Sequence, residues 1–134
     1  MRASKSKRPD RLLTEVELEL MTILWRDGGG TVADVIAALP PDRQLAYTSV
    51  STMLRILEQK GILRSEKIGR GHRYVPLVVR DDYEVFALDQ VVGKVFGGEP
   101  LALVRRLLDV RGLTRDDVAA LKSVLEQRAR HRKA

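Results

Sequence analysis

The chain has 134 residues, of which 44% are hydrophobic and 4% aromatic, so we expect one domain with an aliphatic core and at most a small appendage. It contains no cysteine, which excludes disulfides, thiol catalysis and thiolate metal sites and is typical of a cytoplasmic protein. No apolar segment approaches the roughly 20 residues of a membrane span, and a net charge of +6 favours a polyanionic partner such as nucleic acid.

The N-terminal part of the chain predicts a basic arm followed by two helices. Residues 1–11 are basic and show no periodicity, so we expect a disordered arm that contacts phosphates or a minor groove, or else a solvated tail. Thr14 and Glu17 have the spacing of a capping box, which predicts a largely buried first helix over residues 14–26. Three glycines end that helix, and Thr31 caps a short second helix over residues 32–39.

Residues 45–61 have the periodicity of an amphipathic helix that ends at a glycine. Its apolar stripe consists of Val50, Met53, Leu54 and Leu57. The opposite face carries short hydroxyl side chains and an arginine, so it can approach another polar surface closely, as a helix in the major groove must. A core helix with a polar exposed side is the alternative. Two short-linked helices with the polar stripe on the second predict a helix-turn-helix.

Residues 62–77 predict a β-hairpin, because β-branched and aromatic residues become frequent there and Gly69 and Gly71 mark a turn. We expect strands over residues 63–68 and 72–76, with a basic tip that lies along phosphates or reaches the minor groove; a solvated turn is the alternative. Residues 43–73 carry seven Lys or Arg against two Glu, so the positive charge gathers around the third helix and the hairpin. Three helices followed by a basic hairpin predict a winged helix-turn-helix over residues 12–78.

The side chains that we expect to contact DNA lie on the third helix and on the hairpin: Tyr47, Thr48, Ser49, Ser51, Thr52, Arg55, Lys67, Arg70, His72 and Arg73. Arg55 is the candidate for reading a base edge, because a pair of hydrogen bonds from arginine to guanine is the commonest specific contact. The hydroxyl side chains can donate to phosphates or bases, and Tyr47 and the hairpin cations would fix the register on the phosphates.

Residues 79–134 predict three more helices, over residues 81–96, over residues 101–110 and after a cap at Thr114. Their apolar stripes are too thin for a stable core of their own, so we expect them to form a homodimerisation domain; packing back on the winged helix in a monomer is the alternative. The expected dimerisation residues are Val85, Leu88, Val92, Leu101, Val104, Leu107, Leu108, Val118, Leu121 and Leu125.

The sequence predicts no catalysis, no cofactor and no required metal. The two histidines, His72 and His131, lie in the predicted hairpin and in a basic tail. The acidic pairs at residues 81–82 and 116–117 lie at helix starts, where the helix dipole accounts for them better than catalysis or metal binding does.

Three segments together resemble the BlaI/MecI family of penicillinase repressors: residues 13–25 are similar to its first helix, residues 46–61 to its recognition helix and residues 71–76 to its wing. The resemblance is good over residues 12–77 and looser beyond. It implies a mainly α fold with a small β-hairpin, in which a winged helix-turn-helix domain precedes a C-terminal helical dimerisation domain. It also implies a homodimeric repressor that binds double-stranded operator DNA with a palindromic sequence.

The resemblance further implies that repression is relieved through a sensor or a proteolytic signal. In members that control β-lactam resistance, a membrane sensor-protease pathway leads to cleavage within the C-terminal helices. The cleavage region aligns near residues 105–107, which lack the asparagine–phenylalanine pair of staphylococcal-type members. Copper-responsive relatives use C-terminal cysteines, which this chain lacks.

Two other hypotheses fit parts of the sequence. A winged-helix regulator that responds to a small molecule bound between the domains would have an apolar pocket with convergent polar groups. A protein-interaction module without a DNA role would tolerate charge reversal at Arg55 and at the hairpin tip. The basic hairpin and the hydroxyl-rich helix favour the two DNA-binding hypotheses over the third.

Overall fold

The computed structural model describes residues 7–132, which form six helices and one two-stranded hairpin. The helices are α1 (Glu15–Asp27), α2 (Val32–Ala38), α3 (Tyr47–Gln59), α4 (Arg80–Val95), α5 (Pro100–Arg111) and α6 (Arg115–Arg132), and the strands, which follow α3, are β1 (Leu63–Ile68) and β2 (Gly71–Pro76). The predicted fold class, mainly α with a small β-hairpin, is confirmed. The chain divides into two compact units between Asp89 and Gln90, within α4.

The two helix caps predicted near the N-terminus, at Thr14 and Thr31, are present. The Thr14 hydroxyl accepts a hydrogen bond from the Glu17 amide at 3.2 Å, and the Glu17 carboxylate accepts one from the Thr14 amide at 2.9 Å. Thr31 and Asp34 form the same reciprocal pair at the start of α2, at 3.0 Å each. Each pair satisfies two backbone donors that the first turn of a helix leaves without a partner, so both helices begin where the sequence predicts.

Helix α3 is shorter than residues 45–61. Leu45 packs against the core from the connection before the helix, and Ala46 is the N-cap without a side-chain hydrogen bond. An apolar residue that reaches the core from a loop extends the apolar periodicity in the sequence. This explains why the prediction starts two residues before the helix. At the other end, Gly61 has the left-handed φ of 80° expected of a residue that follows a helix.

The core of the first unit combines the apolar stripes of α1, α2 and α3 with side chains from β1, β2 and the start of α4. Three of the four predicted stripe residues of α3, namely Val50, Leu54 and Leu57, are completely buried, and Met53 packs partly buried beside them. The fully buried side chains are Leu20, Met21, Leu24, Val35, Val50, Leu54, Leu57, Leu63 and Val78. Their burial fixes which face of α3 is left for solvent.

The hairpin pairs β1 and β2 antiparallel, with Leu63 opposite Pro76 and Ile68 opposite Gly71. A single residue of the α1–α2 turn extends this sheet: the Gly30 amide donates to the Tyr74 carbonyl at 2.9 Å, and the Tyr74 amide donates to the Gly30 carbonyl at 2.8 Å. This bridge joins the hairpin to the turn that follows α1.

The start of α4 belongs to the first unit. The Tyr83 hydroxyl accepts a hydrogen bond from the Leu13 amide at 2.8 Å, and the Trp25 indole N–H donates to the Val78 carbonyl at 2.8 Å. The Trp25 and Tyr83 rings contact each other with centroids 5.7 Å apart. These contacts fasten the first turn of α4 to α1.

Part of the predicted N-terminal arm, residues 1–6, lies outside the described residues. The remainder contacts the first unit and so differs from the disordered arm that the sequence suggests. The Lys7 amide donates to the Leu77 carbonyl at 2.8 Å, and the Arg11 guanidinium pairs with Glu17 at 3.0 Å. A carboxylate at the start of α1 thus gives this basic segment a partner that composition does not reveal.

The described part of the second unit consists of the end of α4, α5 and α6. Pro100 occupies the first turn of α5, Gly112 caps its end, and Thr114 and Asp117 form a third reciprocal cap at α6. None of the side chains described in α5 and α6 is buried. Along residues 7–132, no helix combines the length and apolarity needed to cross a membrane.

Candidate nucleic-acid interface

The polar face of α3 is exposed because the opposite face supplies the core. Thr48, Thr52 and Arg55 lie on it, with Tyr47 and Ser49 at its margins, and all five are exposed. Ser51, also a predicted contact, is half-buried at the edge of the same face. The structure therefore brings the predicted α3 residues together on one side of the helix.

The start of α3 differs electrostatically from the start of α1. The first turn of α1 carries two carboxylates, Glu15 and Glu17, whereas the first turn of α3 carries none. The N-terminal end of a helix bears a partial positive charge, so a first turn without acids can approach an anionic surface without repulsion.

The hairpin presents three exposed polar side chains at its tip: Lys67, Arg70 and His72. The tip turns at Gly69, which has a φ of 57°. The fourth predicted hairpin contact, Arg73, is half-buried, and its guanidinium donates to the Gly28 carbonyl at 3.4 Å. Arg73 therefore differs from the other three in its burial and in its partner in the α1–α2 turn.

Ion pairing separates the cations of residues 43–73 into two groups. Arg43 pairs with Glu19 at 2.9 Å, and this hydrogen-bonded guanidinium holds the pKa of Glu19 below its usual range. Arg64 pairs with Glu66 at 2.9 Å. Among residues 7–132, no carboxylate lies within ion-pair distance of the remaining cations of the segment, which are Arg55, Lys60, Lys67, Arg70 and Arg73. The cations left without a carboxylate include Arg55 on the polar face of α3 and both Lys67 and Arg70 at the hairpin tip.

Contacts between α3 and the hairpin hold the two parts of the candidate interface together. The Ser65 hydroxyl of β1 donates to the Glu58 carboxylate of α3 at 2.6 Å. Tyr74 lies buried nearby, and burial raises the pKa of its hydroxyl, with Glu58 adding to the effect and Arg55 opposing it. Tyr74 is thus neutral at physiological pH and belongs to the buried core of the first unit.

Sequence reasoning missed the residues that support this interface. Glu58 and Ser65 hold α3 against β1, Arg43 ties the connection before α3 to α1, and Gly30 joins the hairpin to the α1–α2 turn. Each depends on a partner in another element, and no local spacing signals such a pair. Within the described part of the chain, no three His, Asp or Glu side chains are grouped so that they could hold a metal ion.

Comparison with known proteins identifies the family. The model of the penicillinase repressor family matches residues 13–127. The methicillin resistance regulatory protein MecI of Staphylococcus epidermidis is 21% identical over 116 residues, which cover 87% of this chain and 94% of MecI. The transcriptional regulator BlaI of Mycobacterium tuberculosis is 39% identical over 71 residues, which cover 52% of this chain and 51% of BlaI.

A similar solved structure is the monomeric form of Bacillus licheniformis BlaI in complex with the blaP half-operator; it is 30% identical, covers 59% of this chain and 94% of that chain, and has a TM-score of 0.47. The match to the family model, over residues 13–127, includes residues of both compact units. The chain therefore belongs to the penicillinase repressor, or BlaI/MecI, family, whose members are DNA-binding transcriptional repressors and not enzymes.

Proposed function

We propose that this chain is a homodimeric repressor that binds a palindromic operator through α3 and the hairpin of each copy. One observation supports this most strongly: the exposed face of α3, with its hydroxyls and Arg55, shares a packed unit with a hairpin tip whose cations have no carboxylate partner among the described residues. A major groove about 12 Å wide admits a helix of this kind. We call this surface, consisting of Tyr47, Thr48, Ser49, Ser51, Thr52, Arg55, Lys67, Arg70 and His72, the DNA face.

Within the DNA face, each side-chain type has its own role. Arg55 extends from the middle of α3 and reads a base edge, since its guanidinium can donate two hydrogen bonds to one guanine. Thr48 and Thr52 have short side chains that let the helix backbone lie close to the bases, while their hydroxyls donate and their methyl groups contact thymine. Tyr47, at the start of the helix, donates to a phosphate and fixes the register.

The hairpin acts as the wing of the DNA face. Lys67 and Arg70 neutralise phosphates, and His72 donates to the same backbone. These contacts carry no base information, so they should strengthen binding to every duplex and make it more sensitive to salt.

Dimerisation is supported by the apolar side chains that one copy leaves in water. Val85 and Leu101 are 68% and 64% exposed, and Leu125 is 58% exposed. Burying such side chains against a second copy would stabilise the dimer by about 25 cal/mol for each Å² removed from water. A two-fold dimer presents two identical DNA faces, so the operator should consist of two inverted half-sites.

The test is a titration of the full chain against duplex DNA from the promoter region upstream of its own gene, repeated at several salt concentrations. Arg55→Ala should lose about 1–3 kcal/mol on the operator and much less on a scrambled duplex, because it removes a base contact. Arg70→Ala should weaken binding to both duplexes and lower the slope of log affinity against log salt by about 1, because it removes a phosphate contact.

Arg80→Ala is the matched control. It removes the same charge from the first unit, but Arg80 pairs with Glu84 on α4 and is not a residue of the DNA face. Its affinity and salt slope should equal those of the wild type. Equal binding by the wild type, Arg55→Ala and Arg70→Ala at every salt concentration would contradict the proposal.

Relief of repression is the second part of the proposal: a sensor or proteolytic signal acts on the second unit and uncouples the two copies. The exposure of this unit supports this part of the proposal: none of the side chains described in α5 and α6 is buried, so these helices are accessible to a protease. An immunoblot of the full chain in cells treated with a β-lactam tests the proteolytic branch. A shorter fragment should appear as the promoter becomes active, whereas activation with the chain at constant length would exclude proteolysis.

A further inference from the structure

The wing is hydrogen-bonded to the rest of the first unit through β2, whereas the side chains at its tip are not. Where the hairpin meets the rest of the unit, Tyr74 and Gly30 exchange two backbone hydrogen bonds. At the tip, the side chains of Lys67, Arg70 and His72 make no hydrogen bond to any residue of the described chain. The direction of the tip therefore depends on contacts that the strands make below it, which also include the hydrogen bond from Ser65 to Glu58.

Arg73 lies on β2 between Tyr74 and the tip, and it does not behave like the tip cations. Glu66 is its partner across the two strands, but the Glu66 carboxylate already accepts a hydrogen bond from Arg64 at 2.9 Å. Arg73 reaches instead to the α1–α2 turn, where its guanidinium donates to the Gly28 carbonyl at 3.4 Å. The interaction connects residues 45 positions apart in the chain.

Gly29 shows how closely the wing lies against this turn. A Cβ atom at Gly29 would lie 2.7 Å from Nη1 of Arg73 and 2.8 Å from the carbonyl oxygen of Tyr74. Gly29 also has a φ of 129°, which side chains with a Cβ rarely adopt. The Arg73 guanidinium and the β2 backbone therefore both lie so close to Gly29 that no side chain would fit there.

We propose that Arg73 is a positioning residue, which holds the wing against the α1–α2 turn so that the tip cations reach the phosphates, and that it neutralises no phosphate itself. This inference rests on the proposed operator binding and replaces the DNA contact that the sequence suggests for Arg73. Its half-buried side chain and its contact with the turn support it.

The experiment compares Arg73→Ala, Arg73→Lys and Arg70→Ala in the full chain by two measurements. The first is amide hydrogen exchange of Gly30 and Tyr74 in the free protein. Both Arg73 variants should speed this exchange, since neither can place a planar guanidinium against Gly29, while Arg70→Ala should leave it unchanged. Thermal unfolding of each variant establishes that it is folded, and Arg73→Lys keeps the test open if the alanine variant does not fold.

The second measurement is the salt dependence of binding to the promoter duplex. Arg73→Ala should weaken binding roughly threefold to tenfold with an unchanged salt slope, because it loosens the wing without removing a phosphate contact. Arg73→Lys should also weaken binding although it keeps the charge. Arg70→Ala should lower the slope.

Two results would overturn the inference. The first is that Arg73→Lys matches the wild type in affinity and salt slope while Arg73→Ala lowers the slope, which would make Arg73 a phosphate contact. The second is that amide exchange at Gly30 and Tyr74 is the same in the wild type and in all variants. If the wild type itself fails to bind the duplex, the operator-binding proposal fails, and the exchange measurement in the free protein still decides whether Arg73 positions the wing.

Discussion

Glu17 is the buried charged residue of the described chain, and both of its carboxylate oxygens are used. One accepts a hydrogen bond from the Thr14 amide at 2.9 Å, and the other accepts one from the Arg11 guanidinium at 3.0 Å. Burial by itself would raise the pKa of Glu17, but the hydrogen bonds from Arg11 and Thr14 outweigh it and lower the pKa below 4.5. The same carboxylate therefore starts α1 and holds the segment before it.

This lowered pKa predicts how stability depends on pH. The folded state holds Glu17 ionised more strongly than the unfolded state does, so its contribution is complete above the unfolded pKa of about 4.5 and is lost as the pH falls through the lower folded value. Glu17→Gln should be less stable than the wild type at pH 7, and the difference should shrink below pH 4.5. Urea denaturation across this range measures it.

Glu15→Gln is the control, because Glu15 lies in the same turn but is exposed. Its effect should be small at every pH. A stability difference between Glu17→Gln and the wild type that stays constant from pH 7 to acid would show that the ion pair with Arg11 does not contribute in this way.

At the level of single residues, the sequence predicts contacts between residues within one helical turn but does not predict contacts between residues far apart in the chain. The Thr14–Glu17 cap lies within one turn, so the sequence contains the complete signal. Arg73 is part of a basic cluster in the sequence, and the cluster suggests DNA contact; its contact with Gly28 depends on folding across 45 residues. The same limit applies to Ser65 and Glu58, which join different elements.

Among the elements, α3 illustrates how core packing sets the direction of a polar face. Leu54 is completely buried on one side, while Ile56, two positions further, is 37% exposed. The periodicity of the apolar residues was sufficient to predict which face of the helix is polar. It was insufficient to locate the first residue, since Leu45 joins the core from outside the helix.

Truncation of these two side chains should therefore have very different costs. Leu54→Ala should destabilise the first unit by about 2–5 kcal/mol, because it removes buried methyl groups and leaves a cavity. Ile56→Ala in the same helix should cost roughly 1 kcal/mol or less. Chemical denaturation of both variants measures the difference, and equal losses would mean that α3 does not pack as described.

The hairpin shows a second limit of sequence reasoning at this scale. Its strands and turn follow from composition and glycine placement, and the observed strands, Leu63–Ile68 and Gly71–Pro76, begin and end within one residue of the prediction. The pairing of Tyr74 with Gly30 had no counterpart in the sequence pattern, because one residue of extended chain shows no periodicity.

For the whole molecule, the decisive contrast is between a first unit with a complete core and a second unit in which none of the described side chains is buried. The buried apolar residues of the described chain all fall between Leu20 and Tyr83. In α5 and α6 the stripes predicted from the sequence are present but uncovered, as the exposure of Leu107 and Leu121 shows. The sequence could predict these stripes, but a single chain does not reveal what covers them.

The proposed dimer makes a direct prediction for these stripes. The wild type should sediment as a dimer at micromolar concentration. Leu107→Glu should weaken association by at least about tenfold, because it would bury a carboxylate in an apolar interface, and should weaken operator binding with it. Arg106→Glu is the control, since Arg106 is exposed and lies on the side of α5 opposite the apolar stripe. A wild type that sediments as a monomer would contradict the dimerisation proposal.

Trp25 is the only tryptophan in the chain, and its contacts with Val78 and Tyr83 lie within the first unit. Intrinsic fluorescence should therefore follow the unfolding of this unit alone, whereas far-ultraviolet circular dichroism also follows α5 and α6. Two curves that separate along a denaturant gradient would report, without any added label, that the C-terminal helices melt independently of the first unit.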